Sequence, residues 1–174
     1  MFVSAGKSES FEFATSIGIG LVESAINLTK ICLESRPESI LFIGSAGSYG
    51  RLNIFDIAKS SCAYNIENSF FKLNSYSPID NMVKSIDKVS CETAVNSSNY
   101  ITTDIDVSRE YILKNIDLEN MEFFSILKVA QSFNIPAEGI FVVTNYCNKN
   151  AHSDFLKNHK RAMELLTEYI ERRV

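Results

Sequence analysis

The chain has 174 residues, 45% of them hydrophobic and 22% charged, with a formal net charge of -4. That length and balance fit one globular domain, residues 1–174, with a sizeable core. Lysines and arginines are scattered except for Arg172 and Arg173, so no basic stripe suggests nucleic acid. No apolar run nears the roughly 20 residues that cross a bilayer. Residues 1–11 are too polar for a signal peptide, so the expected location is the cytoplasm, away from membrane. Cys32, Cys62, Cys91 and Cys147 are widely spaced and form no C-x-x-C pair. They read as buried reduced thiols, with neither a zinc site nor a disulfide framework indicated.

In chain order, residues 2–5 predict a short first strand, and Gly6-Lys7-Ser8-Glu9 a polar turn. A weak strand over 13–16 leads through Ile17-Gly18-Ile19-Gly20 into a helix, whose apolar residues Leu21, Val22, Ala25, Ile26, Leu28, Ile31, Cys32 and Leu33 recur at helical spacing. Gly18 and Gly20 do not make a dinucleotide fingerprint, because Glu23 stands where the third glycine would be. Arg36-Pro37 closes the helix, since the residue before a proline avoids the helical region. Ile40, Leu41, Phe42 and Ile43 then form the continuous apolar run of a strand buried on both faces. It runs into Gly44-Ser45-Ala46-Gly47, read as a glycine-rich turn that lets backbone N–H groups approach a ligand. Open α/β sheets bind ligands outside the carboxyl ends of their strands, so this tip is a candidate binding edge.

Residues 54–58 read as another strand, and 63–73 as extended or hairpin structure. Residues 72–88 are polar enough for a surface loop of the kind that borders ligand sites. Residues 89–93 and 100–103 are short strand candidates, with Asn96-Ser97-Ser98-Asn99 between them. Glu122 opens a helix with Phe123, Ile126, Leu127 and Ala130 on one face, stopped by Asn134-Ile135-Pro136. Gly139 introduces the most apolar strand, 140–143, which ends at Thr144-Asn145. An amphipathic helix over 152–173 completes the chain, and its His152 and His159 read as surface residues. Alternation of strands and helices predicts an α/β fold, a three-layer sandwich on a mixed, largely parallel central sheet.

The order of these pieces resembles the nucleoside phosphorylase and nucleosidase superfamily, which includes purine nucleoside phosphorylases and methylthioadenosine/S-adenosylhomocysteine nucleosidases. SIGIGLVESA is similar to that family's SGIGKVNAA segment, ILFIGSAGSYG to its INTGSAGG strand, and Phe55-Asp56-Ile57 to its G-D-I. NMEFFSILKVAQSFNIPAEGIFVVTN is similar to EMEAAAIA…VPFVVVRAISD, with Met121, Glu122 and Asn145 at matching separation. The resemblance implies cleavage of a purine nucleoside by phosphate or water, with no metal or organic cofactor and with a homodimer or larger homo-oligomer. By it, Ser45, Ala46 and Gly47 bind substrate, Tyr100 stacks on the purine, and Met121 and Glu122 meet the ribose. Glu122 suits hydroxyls because a carboxylate offers only acceptors. Glu9 is the candidate water-activating base.

Departures from the family pattern count as well. The nucleosidases carry an acidic Asp where this chain has Asn145, and an amide cannot act as a general acid. Trimeric purine nucleoside phosphorylases have an Asn in a similar L-I-T-N tip, and oriented hydrogen bonds there steady the leaving base. The nucleosidases' arginine corresponds to Phe141, so anion binding is weakened. A catalytically degenerate nucleoside-binding or scaffold protein of the same fold is the competing expectation.

Overall fold

The computed structural model describes residues 1–172, so Arg173, placed in the last helix by its sequence, lies outside the described residues. The elements run β1 (Phe2–Ser4), β2 (Thr15–Ser16), α1 (Gly20–Ser35), β3 (Ile40–Ser48), β4 (Ile57–Ser60), β5 (Cys62–Tyr64), a short 3-10 turn (Asn68–Lys72) and β6 (Met82–Lys84). After these come β7 (Ala94–Ser97), α2 (Ile105–Leu113), β8 (Leu118–Asn120), α3 (Phe123–Ser132), β9 (Ala137–Tyr146) and α4 (Ala151–Glu171).

All nine strands join one mixed sheet, in the order β2-β1-β3-β8-β7-β5-β6, with β9 on β3 and β4 on β9. Parallel pairs predominate: β1 with β2 and β3, β3 with β9, β7 with β5 and β8. Antiparallel pairing is confined to β3 with β8, β4 with β9 and β5 with β6.

The pair β3–β9 is the spine, and burial of both its faces explains the continuous apolar runs Ile40–Ile43 and Ile140–Val143. Phe42, Phe141 and Val143 face a core shared with Leu28 of α1 and with Phe123 and Ile126 of α3. Ile43, Ile140 and Val142 face the other way, onto Ala162, Leu166 and Ile170 of α4. Helices thus cover the sheet on both sides, in the three layers the sequence predicts. Phe42, Phe123 and Phe141 pack with ring centroids 5.1 to 6.2 Å apart. Each such buried ring contributes about 1.5–3 kcal/mol of transfer free energy.

Helix α1 starts where Glu23, in its first turn, accepts the Ile19 N–H at 3.0 Å. It ends at Arg36, whose left-handed φ of 43° turns the chain before Pro37.

Several sequence expectations are corrected. Gly44-Ser45-Ala46-Gly47 is not a turn, because β9 pairs with β3 as far as Ser48 and holds it extended. The strand expected over 54–58 is shifted to Ile57–Ser60, after a turn in which the Asp56 carboxylate accepts the Asn53 N–H at 2.7 Å. Residues 89–93 and 100–103 form no strand. The strand is Ala94–Ser97, taking in Asn96 and Ser97, whose polar side chains are paired inside: Asn96 with Ile66 and Ser97 with Asn120. The polar stretch 72–88 is loop except for Lys72, which ends the 3-10 turn, and β6. Cys62 and Cys91 are joined as a disulfide, with Cα atoms 5.7 Å apart, because β5 and the loop before β7 bring them together; only Cys32 and Cys147 remain buried thiols.

Candidate functional site

The paired ends of β3 and β9 carry polar tips at one edge of the sheet. Gly47 pairs with Asn145 on one side and with Glu119 of β8 on the other. Register slips between Ala46 and Gly47, leaving Thr144 as the extra residue of a bulge. Strict alternation would turn Asn145 to the same face as Val143. The bulge turns it instead to the face shared with Gly47, which is how a bulge re-aims a side chain. Gly47 is required here, since a Cβ would stand 2.9 Å from Cys147 Sγ and 3.0 Å from Asn145 Nδ2.

Above this edge opens a cavity of about 350 Å³. The structure brings all eight sequence-derived site residues to it: Glu9, Ser45, Ala46 and Gly47 from the first half of the chain, and Tyr100, Met121, Glu122 and Asn145 from the second. Lining residues that sequence reasoning missed include Ser98, Ile101, Glu119, Asn120 and Phe155. Asn120 adjoins the Met121-Glu122 motif and Phe155 falls on the apolar face of the last helix, so each had a bland reading available. His152, read as a surface residue, is exposed yet lines the cavity. His159 lies outside it.

Glu9 reaches the site because the chain folds back after β1. Its N–H is donated to Gly6 O at 3.0 Å, closing a turn in which Lys7 takes a left-handed φ of 54°. The carboxylate then lies on the glycine segment of β3. It accepts the Ser45 N–H at 3.1 Å and the Ser45 hydroxyl. Gly44 makes room, for a Cβ there would meet Glu9 Oε2 at 2.9 Å.

Glu122 is held differently. It precedes α3 but makes no cap bond to its own helix. Instead it accepts the Gly20 N–H, the first of α1, at 2.9 Å, along with Asn120 Nδ2 at 3.0 Å and the Met121 N–H at 3.2 Å. Burial pushes its carboxyl up to about 7, opposed by the Gly20 and Met121 N–H groups and reinforced by the charge of Glu9. The spacing G-x-G before α1 therefore serves a carboxylate from a hundred residues away.

Asn145 is oriented by its neighbours. Its Oδ1 accepts the Thr144 hydroxyl at 2.9 Å, and its Nδ2 donates to Tyr146 O at 3.2 Å. Nδ2 carries a second N–H, and Asn145 lines the cavity. Phe141, at the position of the nucleosidases' arginine, is fully buried in the core. Among the described residues, no lysine or arginine lines the cavity. Among the described residues, no group of three or more His, Cys, Asp or Glu is placed to hold a metal ion. No described helix is long and apolar enough to cross a membrane.

A family model described as the Phosphorylase superfamily matches residues 5–174. No curated protein sequence matches the chain. Solved structures agree with the fold at low identity. A point mutant of Helicobacter pylori 5'-methylthioadenosine/S-adenosylhomocysteine nucleosidase with 5'-methylthioadenosine in its active site superposes at TM-score 0.81 and 14% identity, over 98% of this chain and 95% of that one. Futalosine hydrolase of H. pylori gives 0.81 and 15%, over 98% and 94%. The Streptococcus pneumoniae nucleosidase, with a transition-state inhibitor, gives 0.77 and 13%, over 97% and 95%.

Proposed function

The chain belongs to the Phosphorylase superfamily and is an enzyme of the nucleoside phosphorylase and nucleosidase kind; on that premise we propose that it cleaves the N-glycosidic bond of a purine nucleoside with water as the acceptor. The observation that carries the choice of water is the Glu9 carboxylate lying on Ser45. The N–H and hydroxyl that would cradle a phosphate are already donated to an anion. With no lysine or arginine among the described lining residues, a phosphate beside Glu9 would meet the repulsion of that carboxylate, whereas a water there has a base to take its proton.

In this mechanism the sugar develops oxocarbenium character as the bond to the base lengthens. Glu122 accepts a ribose hydroxyl and fixes the ring, with Met121 packed beside it. Tyr100 offers a ring face to the purine. Water attacks the anomeric carbon while Glu9 removes its proton. The base departs with the electron pair, steadied by the second N–H of Asn145, and takes its proton from solvent. Asn145, as a donor, favours a base presenting acceptors, so inosine or guanosine is the preferred substrate over adenosine. Asn145→Asp should move relative kcat/KM toward adenosine-type substrates.

We take the chain as one domain that works as a homodimer or larger homo-oligomer. Val22, Ile26 and Leu33 support self-association, as they leave an apolar strip on α1 that is between half and two-thirds exposed. A single sedimenting species of monomer mass would refute it.

Incubation with inosine, adenosine and methylthioadenosine, with and without phosphate, tests the reaction. Free base and free sugar at equal rates in both buffers are expected. Sugar phosphate as product would replace hydrolysis with phosphorolysis. Binding without base release would favour the degenerate nucleoside-binding protein, for which the observation is that the amide of Asn145 cannot act as a general acid.

A further inference from the structure

The mechanism leaves unused a third carboxylate that lines the cavity, Glu119. It is buried, and every acceptor position it has is taken. Oε2 accepts the Tyr49 hydroxyl at 2.8 Å and the Thr102 hydroxyl at 2.5 Å. Oε1 accepts the Thr102 N–H at 2.9 Å and the Cys147 thiol at 3.8 Å. A carboxylate with four donors around it has nothing left to offer a substrate.

What it holds is the segment 98–102, which has no regular structure. The start of that segment is fixed by the Ser98 N–H on Asn120 O at 3.2 Å, and its middle by Asn99, which accepts the Leu21 N–H at 3.0 Å. The Tyr100 N–H is donated to Ser98 Oγ at 3.1 Å, and the end of the segment is tied to Glu119 through both bonds of Thr102. Thr102 is 2% exposed, while Tyr100 and Ile101 between the footings are 80% and 54% exposed at the cavity rim. Packing cannot hold such exposed side chains, so their placement depends on the buried anchors at either side.

We propose that Glu119 is a positioning residue that acts through Thr102 to hold Tyr100 and Ile101 against the bound purine. This rests on the nucleoside reading for its ligand, but not for the anchoring itself. Only a carboxylate can accept from all these donors at once. A leucine of similar volume leaves the Tyr49 hydroxyl and both Thr102 donors unpaired, and a glutamine keeps one oxygen for Thr102.

The test compares Glu119→Leu, Glu119→Gln, Thr102→Val and the Leu/Val double mutant in the full chain. KM for the purine nucleoside should rise on the order of ten- to a hundredfold in Glu119→Leu, with kcat within about twofold, because the rim contributes binding and Glu9, Glu122 and Asn145 sit on other elements. Thr102→Val should give a smaller rise, Glu119→Gln an intermediate one. The double mutant should be no worse than Glu119→Leu, which is the signature of one residue acting through the other. Amide exchange in the ligand-free protein should quicken at 98–103 in Glu119→Leu and stay unchanged in β3 and β9. An unaltered KM in a folded Glu119→Leu, additive effects in the double mutant, or unchanged exchange at 98–103 each overturn the proposal. If Glu119→Leu does not fold, Glu119→Gln and Thr102→Val carry the same measurements. If the wild type neither binds nor cleaves a nucleoside, the function falls, and exchange at 98–103 still decides whether Glu119 holds the rim.

Discussion

The two ends of the cavity each present a carboxylate, and the contrast between them explains how one type of side chain serves two tasks. Glu9 stands at the β3 end, half-buried, on a short turn, held by the N–H and hydroxyl of a single residue, Ser45. Glu122 stands at the α1–α3 end, buried, with three N–H groups from separate backbone and side-chain sources. A lightly held carboxylate near water can gain and lose a proton during a reaction. A deeply buried, well-anchored one is better suited to fixed hydrogen bonding, because moving it would leave three donors unpaired. Environment, not residue type, separates the base from the anchor.

The largest expected effect breaks the Glu9 end. Glu9→Gln keeps the acceptor for Ser45 but cannot take a proton, so kcat should fall by about 10²–10⁴-fold with KM little changed. A steady-state titration with inosine measures it. A kcat within threefold of wild type would remove Glu9 from the chemistry.

Next in size is the Glu122 end. Glu122→Gln should raise KM by roughly ten- to a hundredfold, the cost of losing a charged partner to hydroxyls, about 1.5–3 kcal/mol. Glu110→Gln removes the same charge from outside the cavity and should leave KM alone. Equal effects at both positions would sink the ribose assignment.

The pH dependence sharpens the comparison further. Because the folded carboxyl of Glu122 lies at about 7 against an ordinary 4.5, the unfolded chain ionises it first. Its contribution to stability is therefore complete below pH 4.5 and is lost as pH rises through 7, by on the order of 3 kcal/mol. The Tm advantage of Glu122→Gln over wild type should grow between pH 5 and pH 8. Substrate affinity should move the other way, tightening as pH rises through 7 and the carboxylate becomes a pure acceptor. Parallel trends in Tm and affinity would contradict the assignment.

The smallest effect is expected at Ser45. Ser45→Ala removes the hydroxyl from Glu9 but keeps the N–H, and should lower kcat only a few-fold, because the carboxylate keeps its backbone donor and its place on β3. A loss as large as that of Glu9→Gln would mean that the hydroxyl itself takes part in the proton transfer.

Legibility in the sequence followed the kind of force at work. The runs at Ile40–Ile43 and Ile140–Val143 announced buried strands because both faces of each are covered, and their polar tips marked the edge where the cavity lies. The helices α1, α3 and α4 were readable from spacing and from their stops at Arg36-Pro37 and Asn134-Ile135-Pro136. Residues 61–121 were not. The strands there are three or four residues long, too short for periodicity. Their inward positions are polar, at Asn96, Ser97, Glu119 and Asn120, because each finds its partner in another strand or loop. Helix α2, nine residues capped by Asp104 on the Asp106 N–H, passed unseen for the same reason.

The sequence alone thus determined the spine, its flanking helices and the family motifs, since these rest on local periodicity and on residues that follow one another along the chain. Only the tertiary structure decided that Gly44–Gly47 is strand and that a bulge turns Asn145 to the face of Gly47. It likewise seated Glu9 on Ser45, brought Cys62 to Cys91 and tied Glu119 to Thr102. In each of these the partner comes from outside the residue's own motif, and a side chain's hydrogen-bonding needs do not say which distant group will meet them.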